Sequence, residues 1–491
     1  MIFKNLIKDA DIENLLEINV EDISILGVTD NSRDIQKGYL FVAVSGYNVD
    51  GHNYIQDAVL LGASAVIGER DIGDLAVPYL QVKNSRKALG LIAKNFYGDP
   101  SNQKIMIGIT GTNGKTTTSY MLHQIIKENG MSCSVIGTIQ HIINGKTIDS
   151  HNTTPGTIEL NSLLASSEDK VVIMEVSSHA LVQYRLEGIE FDYGIFTNLY
   201  HDHLDFHGSM EEYFQAKALL FEKLKPNGMA ILNGDNFWGE KLHEYLKQRQ
   251  VNSYVIGESD YCDLLIHDYD TATKPFVLLN EKEKDELVRI NLPMPGLHNL
   301  YNAVVAYAVA RKLSIGKEDI LSALKKILGV PGRFEVYKDE DGPTIVIDYA
   351  HTADAIFHCL QTAKECGAER IFHIFGFRGG RDKGKRVEMV KVSSELSDIS
   401  ILTMDDLNTE AYLNMKAILF ELNHQYSTEN GLVIPDRTLA IQTALRMAKK
   451  GDWIIVTGKG QESYKQDFAL PVTSDKETIL YLQDKKHGTS Q

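Results

Sequence analysis

The run Gly108-Ile109-Thr110-Gly111-Thr112-Asn113-Gly114-Lys115-Thr116-Thr117-Thr118 constrains this chain more than any other stretch. Apolar Ile105-Met106-Ile107 precede it, and a helical pattern is expected to start near Ser119. In the order strand, glycine-rich turn, helix, backbone N–H groups converge on phosphate oxygens and the helix N-terminus adds its positive end. Lys115 is placed to reach terminal phosphates, and the Thr116 hydroxyl to hold Mg²⁺. The template G-x-x-x-x-G-K-S/T is not met to the letter, because Ile109 stands at its first glycine position. The working core is Gly111, Thr112, Asn113, Gly114, Lys115, Thr116 and Thr117. The bland alternative, a glycine turn that binds nothing, does not explain why Gly, Lys and Thr all sit where phosphate chemistry needs them. A nucleoside triphosphate is expected, ATP first.

At 491 residues the chain exceeds what one hydrophobic core organises, and three domains are expected. It is 43% hydrophobic and 24% charged, ordinary for a globular enzyme. A formal charge of -16 argues against nucleic acid as a partner. It leaves a small anionic substrate open, since such a substrate feels local charge. Cys133, Cys262, Cys359 and Cys366 show no metal-ligand spacing, which fits a reduced, cytoplasmic setting. The N-terminus lacks a long apolar core, and no stretch reaches the length of a membrane span. A monomer is expected.

Residues 1–103 read as a small α/β unit. Its strands are expected at 39–44 and 63–67, with a helix over 54–61 between them. Residues 104–332 alternate strand cores, at 171–175, 193–197 and 228–232, with helical stretches. That alternation predicts a mainly parallel, doubly wound sheet with ligands at the carboxyl ends of its strands. Residues 333–491 form a third, Rossmann-like α/β unit, with strands at 344–348, 370–375, 399–403 and 453–457.

Several polar clusters follow apolar strands. Glu175 ends one such strand and suits Mg²⁺; its plain alternative is capping the next helix. His201, Asp202, His203, Asp205 and His207 form the densest His/Asp cluster. Spacing alone allows zinc there, but no accompanying Cys set or H-E-x-x-H is present, so a Mg²⁺/ATP role ranks higher. Lys217 lies in a helical run and, taken alone, is a surface lysine. Arg333 follows Pro331-Gly332 at a hinge, where a phosphate contact and simple solvation are equally open. Asp348 ends a strand and suits ribose or adenine. Gly376 to Arg386 is a glycine-rich basic loop in an acidic chain, suited to an anionic ligand.

These pieces, in this order, resemble the Mur ligase family over nearly the whole chain. The motifs carrying the resemblance include Asn31-Ser32-Arg33, Gly111 to Thr117, Asn152-Thr153-Thr154, Glu175 to Arg185, and Asp202 to Gly208. Further on come Leu297 to Asn302, Gly332-Arg333, Asp348 to His351, Arg381 to Arg386 and Gly458 to Glu462. Within the family the chain is most similar to synthetases that add the third residue to UDP-N-acetylmuramoyl-L-alanyl-D-glutamate. The resemblance implies that Ser32, Tyr47, Asn48 and Val49 hold the UDP part. It implies that Asn152, Thr153, Thr154, Ser177, Gln183 and Arg185 hold the muramoyl-dipeptide. Thr116, Glu175 and His203 would surround Mg²⁺. Lys217 matches the family's carbamylated lysine; carbamate formation needs a neutral amine, which burial favours. Asn299, Asn302, Arg333 and Asp348 would contact ATP. Lys115, Lys217 and His203 are the implied catalytic side chains, in an ADP-forming reaction through an acyl phosphate.

The acceptor segment departs from the pattern. Family members using diaminopimelate carry Asp-Asn-Pro-Arg, whose arginine grips the distal carboxylate; here Asp405-Asp406-Leu407-Asn408 stand there. Loss of the arginine and gain of a carboxylate favour L-lysine or another basic diamino acid over diaminopimelate. Leu407 replaces the proline of the lysine-type pattern. Arg381, Gly458 and Glu462 would hold the amino acid in either case. Arg378 is a second departure, a cation where the family more often has glycine. Two other readings stay open: a related ligase acting on a different carboxylate, as folylpolyglutamate synthetases do, and a non-catalytic paralogue that binds nucleotide and a partner.

Overall fold

The computed structural model describes residues 1–14, 20, 22–46, 49–272, 274–339, 341–427 and 429–488. The chain divides into two compact units. One comprises Met1–Thr110, Gly130–Ile195 and Ala216–Ala230; the other comprises Gly111–Asn129, Phe196–Gln215 and Ile231–Gln491.

In the first unit, four parallel strands run in the order Gly27–Thr29, Tyr39–Val42, Ala65–Gly68, Tyr79–Gln81. Side chains alternate between the faces, as strand geometry requires. Leu40, Val42, Ala65 and Ile67 pack with Phe3, Leu6, Leu89 and Ile92, whereas Phe41 and Val66 pack with Ile55 and Ala58. Helix Ser85–Phe96 starts where Asn84 accepts a hydrogen bond from the Lys87 N–H. Its Gly90 admits Glu187 so closely that a Cβ there would lie 2.5 Å from the Glu187 Cβ.

A second sheet region of this unit places Ile105–Thr110 and Cys133–Ile136 parallel to and on either side of Val171–Glu175. The expected strand at 171–175 is therefore found as drawn, that at 228–232 lies within Leu224–Asn233, and that at 193–197 is found two residues earlier at its start and one at its end, as Phe191–Phe196. An antiparallel tail, Gln140–Ile143 and Lys146–Asp149, extends this region. Its turn is Asn144-Gly145, both at positive φ, which gives the twist a two-residue hairpin needs.

In the second unit, helix Lys115–Glu128 packs against Leu297–Lys312 and Lys317–Lys325. It begins at Lys115 rather than near Ser119, because Gly114, at φ 88°, serves as its N-cap. The phosphate-binding lysine and threonine thus occupy the first turn, where backbone N–H groups have no intrahelical acceptor. Strands Leu264–Asp270, Phe276–Glu281 and Glu286–Asn291 form an antiparallel meander.

The rest of this unit is a six-stranded sheet. Its order is Glu335–Lys338, Thr344–Ile347, Trp453–Val456, Ile371–Phe377, Ile399–Met404, Gly431–Val433. Only the first pair is antiparallel. Ile345, Ile347, Phe372, Ile374 and Ile454 face one helical layer, and Val346, Phe375, Leu402 and Ile455 face the other. This is the doubly wound, Rossmann-like arrangement expected. Arg437 and Asp475, both fully buried, pair through two contacts of 2.7 Å.

His373 lies inside the same sheet, with Ser393 at 2.7 Å and Thr457 at 3.0 Å on its two ring nitrogens. Burial, aided by the Arg437 charge, pushes its pKa from 6.5 down to about 3. A folded-state pKa below the unfolded one means that the unfolded chain takes the proton first. The contribution of the neutral ring is therefore complete above pH 6.5 and is lost as pH falls toward 3. Denaturant titrations at falling pH should show stability declining by up to about 1.4 kcal/mol per pH unit from this residue. His373→Gln should flatten that slope.

Candidate active site

The phosphate loop leaves strand Ile105–Thr110 through two positions that require glycine. At Gly111, φ is 149° and a Cβ would lie 1.9 Å from the Thr197 hydroxyl. At Gly114 a Cβ would lie 2.4 Å from Asn302 Oδ1. The loop is held from the segment after strand Phe191–Phe196. The Thr112 N–H donates to the Asn198 carbonyl (3.0 Å) and the Asn113 N–H to Asn198 Oδ1 (2.9 Å). The Thr197 hydroxyl donates to the Asn113 carbonyl (2.6 Å). Lys115 lies across the loop, its Nζ donating to the carbonyls of Gly111 (2.8 Å) and Thr112 (3.0 Å). Asn198 escaped the sequence reading, although its place directly after an apolar strand was a usable signal.

Around this loop the second unit gathers most of the expected nucleotide residues. Asn302 accepts from the Thr118 hydroxyl at 3.2 Å. Asn299, also buried, donates to the Pro295 carbonyl and braces the start of its helix. Arg333 donates to the Thr116 hydroxyl at 3.1 Å, and its guanidinium lies 4.2 Å from the centre of the Tyr349 ring. Asp348 accepts from the N–H groups of Phe334 and Ala350. Burial raises its pKa, against the opposing charge of Arg333. Asn113 Nδ2 also reaches Asp354 at 3.2 Å.

The His/Asp cluster and the basic loop, read separately from sequence, meet. Asp202 receives Lys385 Nζ at 2.7 Å and has His203 and His351 Nε2 each at 3.4 Å. Burial alone would raise its pKa. The His351 contact and the charges of His203, His351 and Lys385 instead hold its carboxyl well below the usual carboxylate range. Asp382 mirrors it, accepting from the Leu204 N–H (3.3 Å), with His201 Nε2 at 3.2 Å. The basic loop thus spends much of its charge on protein carboxylates. Among the described residues no group of three or more His, Cys, Asp or Glu side chains is placed to hold a metal ion. His203 sits at φ 56° as the residue preceding helix Leu204–His207.

In the first unit, Glu175 is fully buried and accepts from the Thr138 N–H (3.1 Å) and hydroxyl (2.8 Å). It does not cap the next helix; Ser177 does, accepting from the Ala180 N–H. Five of the six expected dipeptide-binding residues converge here. The Thr153 hydroxyl is 3.1 Å from that of Thr138. The Thr154 hydroxyl accepts from the Ser177 N–H at 3.0 Å. Arg185 donates to the Thr154 carbonyl (3.0 Å) and to Gln183 Oε1 (2.7 Å). Asn152 is exposed, its carbonyl accepting from the Ser150 hydroxyl. Lys217, read in isolation as a surface lysine, is 2% exposed in helix Met210–Ala218. Ser32 starts a short 3-10 turn capped by Asn31, and Val49 is exposed. Tyr47 and Asn48 lie outside the described residues.

At the acceptor end, Asp405 and Asp406 are buried but not unpaired. Lys459 Nζ is 2.8 Å from Asp406 and 3.6 Å from Asp405. Burial would raise the Asp405 pKa, yet Arg378, Arg437 and Lys459 hold it below its ordinary value. Gly458 and Glu462 both contact Arg378. Arg381 is exposed, and Asn408 donates to the Gly379 carbonyl at 2.9 Å.

Comparison with known proteins accords with this geometry. Three family models match in succession: "Mur ligase family, catalytic domain" over residues 24–97, "Mur ligase middle domain" over 109–310, and "Mur ligase, glutamate ligase domain" over 332–460. The UDP-N-acetylmuramoyl-L-alanyl-D-glutamate–2,6-diaminopimelate ligase of Clostridium botulinum is 38% identical, covering 89% of this chain and 90% of that protein. The ligase of the same name from Fusobacterium nucleatum is 37% identical, covering 94% of each. A solved structure of a ligase of that name superposes with a TM-score of 0.68 at 27% identity, covering 96% of this chain and 97% of the other. Fold and site define an ATP-dependent, ADP-forming amide ligase built around a phosphate loop. The chain belongs to the Mur ligase family.

Proposed function

We propose that this enzyme joins a diamino acid to the D-glutamyl carboxylate of UDP-N-acetylmuramoyl-L-alanyl-D-glutamate, in peptidoglycan precursor synthesis in the cytoplasm. The observation that carries this reading is the convergence of Thr153, Thr154, Ser177, Gln183 and Arg185 beside the buried Glu175, the set that would seat the muramoyl-dipeptide. The names of the relatives support the same substrate. Ser32, Tyr47, Asn48 and Val49 would hold the uridine diphosphate. Three domains, 1–103, 104–332 and 333–491, fit the succession of matched family segments. No described helix is long and apolar enough to cross a membrane.

The chemistry follows from the substrate. A carboxylate is a poor electrophile, because its leaving group would be oxide. Attack of the carboxylate oxygen on the γ-phosphorus expels ADP and leaves an acyl phosphate; Lys115 neutralises charge that builds on the transferring oxygens. The acceptor amine then adds to the acyl carbon, loses its proton and expels phosphate. Asn299, Asn302, Arg333 and Asp348 would orient the nucleotide. Thr116 and Glu175 are each buried oxygen donors of the hard kind that Mg²⁺ prefers, and they, His203 and Lys217 as its carbamate are the side chains that would hold it. Bound Mg²⁺ would supply electrostatic stabilisation of the phosphoryl group.

Two features bear on the acceptor. The sequence pattern Asp405-Asp406, with Asn408, favours a distal cation such as that of L-lysine, but Lys459 already pairs with both aspartates; the relatives' names support diaminopimelate. Phosphate release from purified protein with ATP, Mg²⁺ and the UDP-dipeptide, across an amino-acid panel, tests the reading. Activity that requires the dipeptide supports it. Turnover of another carboxylate would favour the related-ligase alternative, and silence with retained ATP binding the non-catalytic one.

A further inference from the structure

We propose that Arg378 selects the acceptor: its guanidinium takes the second carboxylate of a diamino dicarboxylic acid, and Glu462 takes the neighbouring ammonium. This rests on the amide-ligase reading above and adds a residue that the family pattern does not contain.

Arg378 directly follows strand Ile371–Phe377, which lies between Ile399–Met404 and Trp453–Val456, all parallel. The segments leaving those neighbours carry Asp405-Asp406 and Gly458 to Glu462. The side chain therefore stands at the carboxyl edge of three adjacent strands, where open α/β sheets bind ligands. Its Nη2 donates to Glu462 Oε2 (2.5 Å) and to the Gly458 carbonyl (3.2 Å). The Tyr349 hydroxyl donates to the other Glu462 oxygen at 2.9 Å, and the guanidinium lies 5.3 Å from the centre of the Tyr349 ring. Arg378 Nε is 3.7 Å from Asp405 and, among the described residues, has no hydrogen-bond partner.

The other cations are poorer candidates. Arg381 is exposed. Lys459 is 1% exposed and committed to Asp405 and Asp406. Position 408 holds an asparagine turned onto the Gly379 carbonyl. Arg378, its side chain 20% exposed, is a half-buried cation that a ligand can still reach.

An Arg378–Glu462 pair is what a zwitterion would replace. A carboxylate takes the guanidinium, an ammonium takes Glu462, and one ion pair becomes two with no net charge added. A distal ammonium alone would take Glu462 and leave the guanidinium only Asp405, 3.7 Å from Nε and already shared with Lys459, which is costly at a half-buried site. The pocket therefore discriminates through the group that a simple diamine lacks.

Isothermal titration of the full-length protein, with ADP and UDP-dipeptide present, reads this without turnover. Wild type should bind meso-diaminopimelate at least about 10-fold more tightly than L-lysine. R378Q should weaken diaminopimelate binding about 100-fold while lysine binding is unchanged or tighter, since no guanidinium then competes for Glu462; R378K should fall between. Preference of the wild type for lysine, or equal loss of both amino acids in R378Q, would overturn the proposal. If R378Q does not fold, the wild-type preference and R378K decide. Phosphate release separately reports whether the ligase reading holds, so the two can fail independently.

Discussion

Lys115→Met is expected to lower kcat/KM for dipeptide-dependent phosphate release by at least about 1,000-fold. The Lys115 ammonium is already laid across the loop, on the Gly111 and Thr112 carbonyls, with no ligand needed to place it. It therefore meets the nucleotide preorganised, and its charge acts on the oxygens where charge builds up in the transfer. Methionine keeps the length and the helix propensity at the first turn of Lys115–Glu128 but carries no charge. The melting temperature should shift by only a few degrees, about what one lost surface-side contact costs. Phosphate release and ADP affinity, measured on the same preparation, check both halves. A variant that kept a tenth of wild-type turnover would show that this loop is not where the phosphoryl group is handled.

Asp202→Asn is expected to damage stability and activity together. Asp202 is buried, and Lys385, His203 and His351 all address it. Removing its charge leaves Lys385, mostly buried, without its anion, a loss of about 3–5 kcal/mol for a broken buried pair. The basic loop would then hold the segment after strand Phe191–Phe196 through Asp382 alone of the two carboxylates. Because the folded pKa lies below the ordinary 3.8, the contribution of this carboxylate is complete above that pH and fades only as pH drops below it. Denaturant midpoints at pH 7 for wild type and variant measure the stability loss. Phosphate release should fall about 100-fold beyond what unfolding removes, as misplacement near the chemistry does. Unchanged stability would mean that the cluster is peripheral.

Local chemistry was legible in the sequence and long-range pairing was not. Gly111, Gly114, Lys115 and Thr116 lie within six residues, and their roles follow from one turn and one helix start. Even there the helix start was misplaced, because the apolar periodicity begins later than the Gly114 cap that sets it. The strands of the Rossmann-like sheet were readable from their apolar runs. By contrast, Asp202 meets Lys385 across 183 positions, and Arg378 meets Glu462 across 84. No spacing rule links such partners; the fold does. For the same reason Asp405 and Asp406 read as a pair awaiting a cation, when Lys459 already lies between the segments that carry them. Burial of Lys217 was hidden from the residue pattern too, since one lysine in a helical run looks solvated until the neighbouring layers are placed.

The Asp202 node also limits how modular this enzyme is. A chimera that exchanged residues 333–491 for a segment lacking His351 and Lys385 would leave residue 202 with the host and without those partners. Such a graft keeps the host carboxylate charged and parts it from its counterparts. Exchanges should therefore succeed only when the 201–207 segment travels with the 382–386 loop, so the heritable block is this pair of segments and not a stretch of contiguous sequence.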